Sequence, residues 1–155
     1  MPIKKLSSET CEKSTRCDSY RIIDANINRC KEGLRVCEEI ARFHLKNSCS
    51  SKKYSVIRHM LTKLCKESKL DQKELFKHRD SKRDVGRAFN LGPKRSNFQN
   101  IFLANAQRTK EAFRVLEEFS KLFDTTLSKN IQNLRFDFYE LEKTTIKKFP
   151  ALLDS

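Results

Sequence analysis

One stretch of this sequence occurs twice. Residues 25–39 read ANINRCKEGLRVCEE and residues 104–118 read ANAQRTKEAFRVLEE, identical at nine of fifteen positions with a constant offset of 79. Both copies space their apolar residues at helical intervals. The segments downstream echo one another more faintly, Ile57-Arg58 against Leu134-Arg135. Two copies are too few for an open solenoid, which gains stability by stacking several units. A helical hairpin used twice predicts instead an all-α, four-helix-bundle-like domain with internal pseudo-twofold symmetry. The 155 residues suffice for one such domain and not for two ordinary ones. Glycine and proline, three of each, are scarce, which favours long helices with short joints over a turn-rich β fold.

Residues 1–18 are polar and aperiodic and read as a tail. Asp18 or Ser19 can cap a helix to about Lys46, followed by a polar joint at 47–51 and a second helix over 52–68. Asp71 with Glu74 three residues on resembles a capping box and opens a short helix to Lys77. Residues 79–97 lose all periodicity, and a loop of that length inside a compact domain is often functional. Asn97 can cap a third long helix to Phe123, and a fourth runs over 127–148 before Phe149-Pro150 stops it. The expected organisation is thus a tail over 1–18, a helical domain over 19–149 and a second tail over 150–155.

Lys and Arg number 33 against 20 Asp and Glu, a net charge of +13 that attracts nucleic acid, anionic membranes or small phosphorylated ligands alike. The first residues lack an apolar signal core, and no run is long and apolar enough to span a bilayer. No Cys-x-x-Cys occurs among the six cysteines. Cys30 and Cys37, seven apart on one helix, are expected to pack as small hydrophobes. A reducing, cytoplasmic setting follows as the default. Phosphate-cradling glycine loops, a dinucleotide fingerprint and a His-Glu-x-x-His zinc motif are all missing from the sequence.

Advancing about 100° per residue sets the polar groups on a wheel. Asn26 and Arg29 fall within an apolar arc with Ile22, Cys30, Leu34 and Cys37, and Asn105 and Arg108 do the same in the second copy. Glu32, Glu39, Glu111 and Glu118 sit at the arc's edge, and Lys31, Glu38 and Arg42 fall outside it as solvated residues. Arg35 and Arg114 are placed to pair with Glu39 and Glu118 four residues on. An arginine on a buried face needs its charge and five donors met. Either an internal Asn, Arg and Glu network docks the two hairpins, or the two helices enclose a polar pocket for a phosphorylated ligand. The loop adds Arg79-Asp80-Ser81-Lys82-Arg83-Asp84, a mixture that suits a Mg²⁺-bound nucleotide or simply a charged surface.

The segments RIIDANINRCKEGLRVCEEIARF, VIRHML, RDSKRDVG and LANAQRTKEAFRVLEEFSKLF, in that order over about residues 20–143, resemble the small, non-canonical hydroxymethylpyrimidine phosphate kinases of thiamin biosynthesis. Members of that family occur alone or fused to thiamin-phosphate synthase. The resemblance implies ATP-dependent conversion of the pyrimidine monophosphate to its diphosphate, with Mg²⁺ and with ATP as co-substrate. It implies substrate binding by Asn26, Arg29, Glu32, Asn105, Arg108 and Glu111, with the glutamates positioning the arginines. Asp80 and Asp84 are the implied metal ligands, and Arg79 the group that stabilises transferred charge. The implied partners are small phosphorylated molecules, together with a functional link to thiamin-phosphate synthase. A member without a synthase domain would act alone. One departure concerns 87–95, Arg-Ala-Phe-Asn-Leu-Gly-Pro-Lys-Arg, where the family usually offers a threonine and then an acidic residue. The rival classes are a helical nucleic-acid-binding module, which wants a continuous basic face, and a non-catalytic scaffold. With cations dispersed among glutamates, the sequence favours neither nucleic acid nor a membrane.

Overall fold

Helix α1 begins well before its apolar periodicity does. The computed structural model describes residues 8–89 and 92–154, with side chains from Glu12 onward. In it α1 spans Ser8–Glu39. The tail expected over 1–18 is therefore helical from Ser8, while residues 1–7 lie outside the described residues. Residues 12–16 are exposed, so this overhang has no apolar stripe to read. It is held where Arg16 lies 5.9 Å from the Tyr20 ring centre and 5.7 Å from that of Phe123.

A wider, π-helical turn over Ile40–His44 continues α1, and Lys46 ends it in the left-handed region at φ 50°. Asn47 then caps α2 (Ser48–Glu67), accepting a hydrogen bond from the Ser50 amide at 2.8 Å, so the expected polar joint is mostly helix. Asp71 caps α3 (Gln72–Lys77) as expected, but Glu74 turns to Lys77 and His78 and does not close a capping box. The long loop carries one tight 3₁₀ turn at Val85–Ala88. Asn97 caps α4 (Phe98–Ser120) and Asp124 caps α5 (Thr125–Lys148). The expected second tail is a 3₁₀ turn over Pro150–Leu153, because Leu152 is apolar and finds a buried seat against α4 and α5. Ser155 lies outside the described residues.

Hairpins α1–α2 and α4–α5 join along two seams, α1 on α4 and α2 on α5, which closes a bundle of four long helices among the described residues. No strand occurs among them, as the all-α expectation requires. Tyr54, Phe102, Phe113 and Phe138 fill the centre with tilted and edge-on ring contacts. The Tyr54 hydroxyl is satisfied by Thr145 Oγ1 at 3.0 Å. Cys30 and Cys37 are fully buried, as expected of small hydrophobes, and burial pushes the Cys37 thiol up to about 12. At Gly33 α1 and α4 approach closely. A Cβ there would run into Thr109 Oγ1 and come within 2.9 Å of the Asn105 carbonyl oxygen. The missing side chain lets two backbones approach and sets the spacing of everything along this seam.

The wheel misjudged Glu38. It is buried, its carboxylate held by Arg58 Nε at 3.1 Å and Nη2 at 3.0 Å and by Arg35 at 3.2 Å. Glu117, its counterpart in the second copy, is buried against Arg135 and Arg114, each at 2.9 Å. One helix viewed alone cannot show that the following helix brings an arginine to that flank. The expected Arg35–Glu39 and Arg114–Glu118 pairs form at 2.6 and 3.0 Å.

Candidate active site

Beside Gly33, the α1–α4 seam opens into a cavity of about 410 Å³. Asn26, Arg29 and Glu32 line it from α1, and Asn105, Arg108 and Glu111 from α4. Both asparagines make the same local bond, Nδ2 donating to the carbonyl four residues back at 2.8 Å (Ile22 for Asn26, Ile101 for Asn105). Each amide is thereby oriented, with its Oδ1 and second N–H left for a neighbour or ligand.

The arginines differ from what the apolar arc predicted: Arg29 and Arg108 are exposed, not buried. The arc joined residues that face the core with residues that face a cleft between two helices, and both look inward on a wheel. Among the described residues neither guanidinium makes an ion pair or hydrogen bond, whereas Arg35, Arg58, Arg79, Arg83, Arg114 and Arg135 are all paired with carboxylates. Glu32 and Glu111 do not hold them either; Glu111 accepts from Gln107 at 2.9 Å. Two unpaired guanidinium groups line one cavity from separate helices, and the planar fork of arginine is of the geometry that suits phosphate oxygens.

A larger cleft of about 940 Å³ adjoins this cavity, sharing Asn26, Arg29, Glu32 and Val115 with it. Its far wall is the loop, through Arg79, Asp80, Ser81 and Asp84. The structure thus brings the predicted residues of both helices and the loop into two communicating spaces. Their pairing departs from the expectation. Arg79 is committed to Asp24, its Nε at 2.7 Å from Oδ2 and its Nη2 at 2.6 Å from Oδ1, and this bond holds its charge on. Asp80 receives the Arg83 backbone N–H at 3.2 Å and Nε at 2.7 Å, which keeps its carboxyl below the ordinary carboxylate range. Asp84 Oδ1 caps the 3₁₀ turn through the Gly86 amide at 2.8 Å. Among the described residues no group of three or more His, Cys, Asp or Glu converges as a metal cage.

Asp24 escaped the sequence reading. It falls on the polar side of the wheel, yet it is buried beneath Arg79. The available signal was a break in the repeat, since the matching position in the second copy is Leu103. No described helix is long and apolar enough to cross a membrane.

Residues 21–144 match the model of the ThiD2 family. Among curated proteins the chain is similar to the thiamine-phosphate synthases of Nostoc punctiforme (36% identity over 125 residues) and Thermosynechococcus vestitus (37% over 125 residues). That of Rhodopirellula baltica is 33% identical over 121 residues. The first two alignments cover 79% of this chain and 34% of each relative, so the chain spans about a third of the length of the relatives it matches. No solved structure matches it.

Proposed function

The chain belongs to the ThiD2 family, and on that footing we propose that it works in thiamin biosynthesis, transferring the terminal phosphoryl group of ATP to hydroxymethylpyrimidine monophosphate. A phosphate oxygen of the acceptor attacks the γ-phosphorus, the bond to the β-bridging oxygen breaks, and ADP departs with that electron pair. At neutral pH the acceptor phosphate is mostly deprotonated, so the site needs no strong base. Positioning and charge neutralisation carry such a transfer.

The observation that carries this reading is the pair of free guanidinium groups, Arg29 and Arg108, facing one cavity beside two oriented asparagines. A purely internal network docking the hairpins would leave these arginines paired within the fold, as Arg58 and Arg135 are with Glu38 and Glu117 inside the first and second hairpin. In this reading Arg29 and Arg108 hold the acceptor phosphate, and the asparagine amides orient the ring. Asp80 and Asp84, on the wall of the larger cleft, suit a hard cation that arrives with the nucleotide. Mg²⁺ arriving with a nucleotide would need only one or two such carboxylates from the protein. When bound, it supplies neutralisation of the polyphosphate charge.

The relatives' printed names make a working link to thiamine-phosphate synthase part of the proposal. The test is incubation of the purified protein with hydroxymethylpyrimidine phosphate, ATP and Mg²⁺, following both products by chromatography. Stoichiometric diphosphate and ADP, lost in Arg108→Ala while the helical circular dichroism persists, support the assignment. Absence of product with every nucleoside triphosphate, together with salt-sensitive RNA binding, would transfer it to the nucleic-acid class.

A further inference from the structure

The two copies offer the same Asn, Arg and Glu, yet the loop lines only one of the two cavities. Arg79, Asp80, Ser81 and Asp84 share a wall with Arg29, and none of them lines the space around Arg108. The shortest tie holding the loop on that side is a two-pronged ion pair. Asp24 is 8% exposed and meets both Nε and Nη2 of Arg79, at 2.7 and 2.6 Å. Its backbone is braced as well, the Asp24 carbonyl accepting from Asn28 Nδ2 at 3.0 Å. The Arg79 guanidinium also lies 4.7 Å from the Phe76 ring centre, which ties the end of α3 to the same point. A weaker second tether, Arg21 Nη2 to the Asp80 carbonyl at 3.5 Å, follows one residue on. Leucine at position 103 gives the second copy no equivalent anchor.

We infer that Asp24 is a positioning residue: by clamping Arg79 it fixes the segment 79–88 on α1 and sets Asp80 and Asp84 beside Arg29, making the two repeat-derived halves unequal. This rests on the proposed phosphoryl transfer, because it is the carboxylates carried by that segment that the clamp serves. It also reassigns Arg79, whose Nε and Nη2 are engaged by Asp24, from stabilising transferred charge to anchoring. The larger cleft walled by the loop then takes the nucleoside triphosphate, and the smaller cavity between Arg29 and Arg108 takes the acceptor phosphate, with Arg29 at the boundary of the two.

The test compares Asp24→Asn, Asp24→Glu and the charge-reversed pair Asp24→Arg/Arg79→Asp with the unaltered chain. Hydrogen exchange of the amides of 80–88 reports the clamp without reference to activity. Asp24→Asn is expected to speed exchange there while α4 is unchanged. It is expected to lower kcat, or kcat/KM for ATP, by at least about tenfold, a misplacement effect, while moving KM for the pyrimidine phosphate less than about threefold. The reversed pair, or Asp24→Glu, should recover part of both readouts. Unchanged exchange overturns the inference, and so does faster exchange with unchanged turnover. Should the unaltered chain turn nothing over, the kinase reading fails by itself, and the exchange comparison still decides whether Asp24 holds the segment.

Discussion

Replacing Glu38 by glutamine separates the structure from the helical wheel most cleanly. On the wheel Glu38 is solvated, and such a change costs within about 0.5 kcal/mol. In the structure its side chain is 9% exposed and accepts from Arg58 and Arg35. Glutamine removes the charge and turns an N–H₂ group toward guanidinium donors, so one contact becomes donor against donor. Breaking a fully buried pair costs roughly 3–5 kcal/mol. Here Arg58 is 18% and Arg35 53% exposed, so water reaches the orphaned cations and lowers the cost to about 2–3 kcal/mol. For a chain of this size that is a fall in Tm of roughly 4–12 °C. Urea unfolding followed by circular dichroism measures it, with Glu117→Gln as an internal control. Because Glu117 is likewise held by Arg135 and Arg114, with Gln132 Nε2 adding one contact at 3.3 Å, the two losses should agree to about 1 kcal/mol. Removing both partners as Glu38→Gln/Arg58→Met should return part of the loss, since an apolar pair leaves no stranded charge. A loss below about 0.5 kcal/mol in both single variants would refute the buried-pair account.

Gly33→Ala should destabilise by a net ~1–2 kcal/mol, because the clash with Thr109 and the Asn105 carbonyl outweighs the gain of about 1 kcal/mol that alanine brings to a helix; unchanged urea stability would mean that α1 and α4 do not cross there. With a thiol reagent at pH 8 the exposed Cys49 should react at once, and the buried Cys30, Cys37 and Cys65 only on unfolding, since burial raises all three thiols; rapid native labelling of Cys37 would contradict the core assignment. Asp124 accepts the Leu127, Lys69 and Thr126 amides, and these bonds, the Leu127 amide foremost, depress its carboxyl. A depressed carboxylate stabilises above its unfolded pKa and ceases to as the pH falls through its folded value. Asp124→Ala should therefore cost about 1 kcal/mol at pH 7 and progressively less below the ordinary aspartate range; an equal cost at pH 2 and pH 7 would exclude Asp124 as an ionised cap.

The repeat made the fold legible. Matching helices at residues 25–39 and 104–118, with caps at Asp71 and Asn97, are local properties that hydrophobic spacing and side-chain oxygens impose directly. The residues lining the smaller cavity were legible for the same reason, because Asn26, Arg29, Asn105 and Arg108 recur where apolar residues would otherwise sit. Their pairing was not. Whether Arg29 is buried or faces a cleft depends on how far Gly33 lets α4 approach, and Glu38 becomes interior only once α2 delivers Arg58. Asp24 and Arg79 are 55 residues apart and share no periodicity, so nothing local announces their bond. The early start of α1 escaped because an exposed overhang has no core face to imprint on its sequence.

In the proposed reaction Arg29 and Arg108, from two copies of one segment, hold the phosphate of a single ligand. Titration calorimetry with hydroxymethylpyrimidine phosphate on the unaltered chain, Arg29→Ala, Arg108→Ala and the double variant tests it. Each single change should weaken binding by roughly 1.5–3 kcal/mol, the range of a charged hydrogen bond. The double variant should fall short of the sum by at least about 0.5 kcal/mol, because the two groups share one anion. Losses that add fully, or a Kd that neither change moves, would contradict the claim.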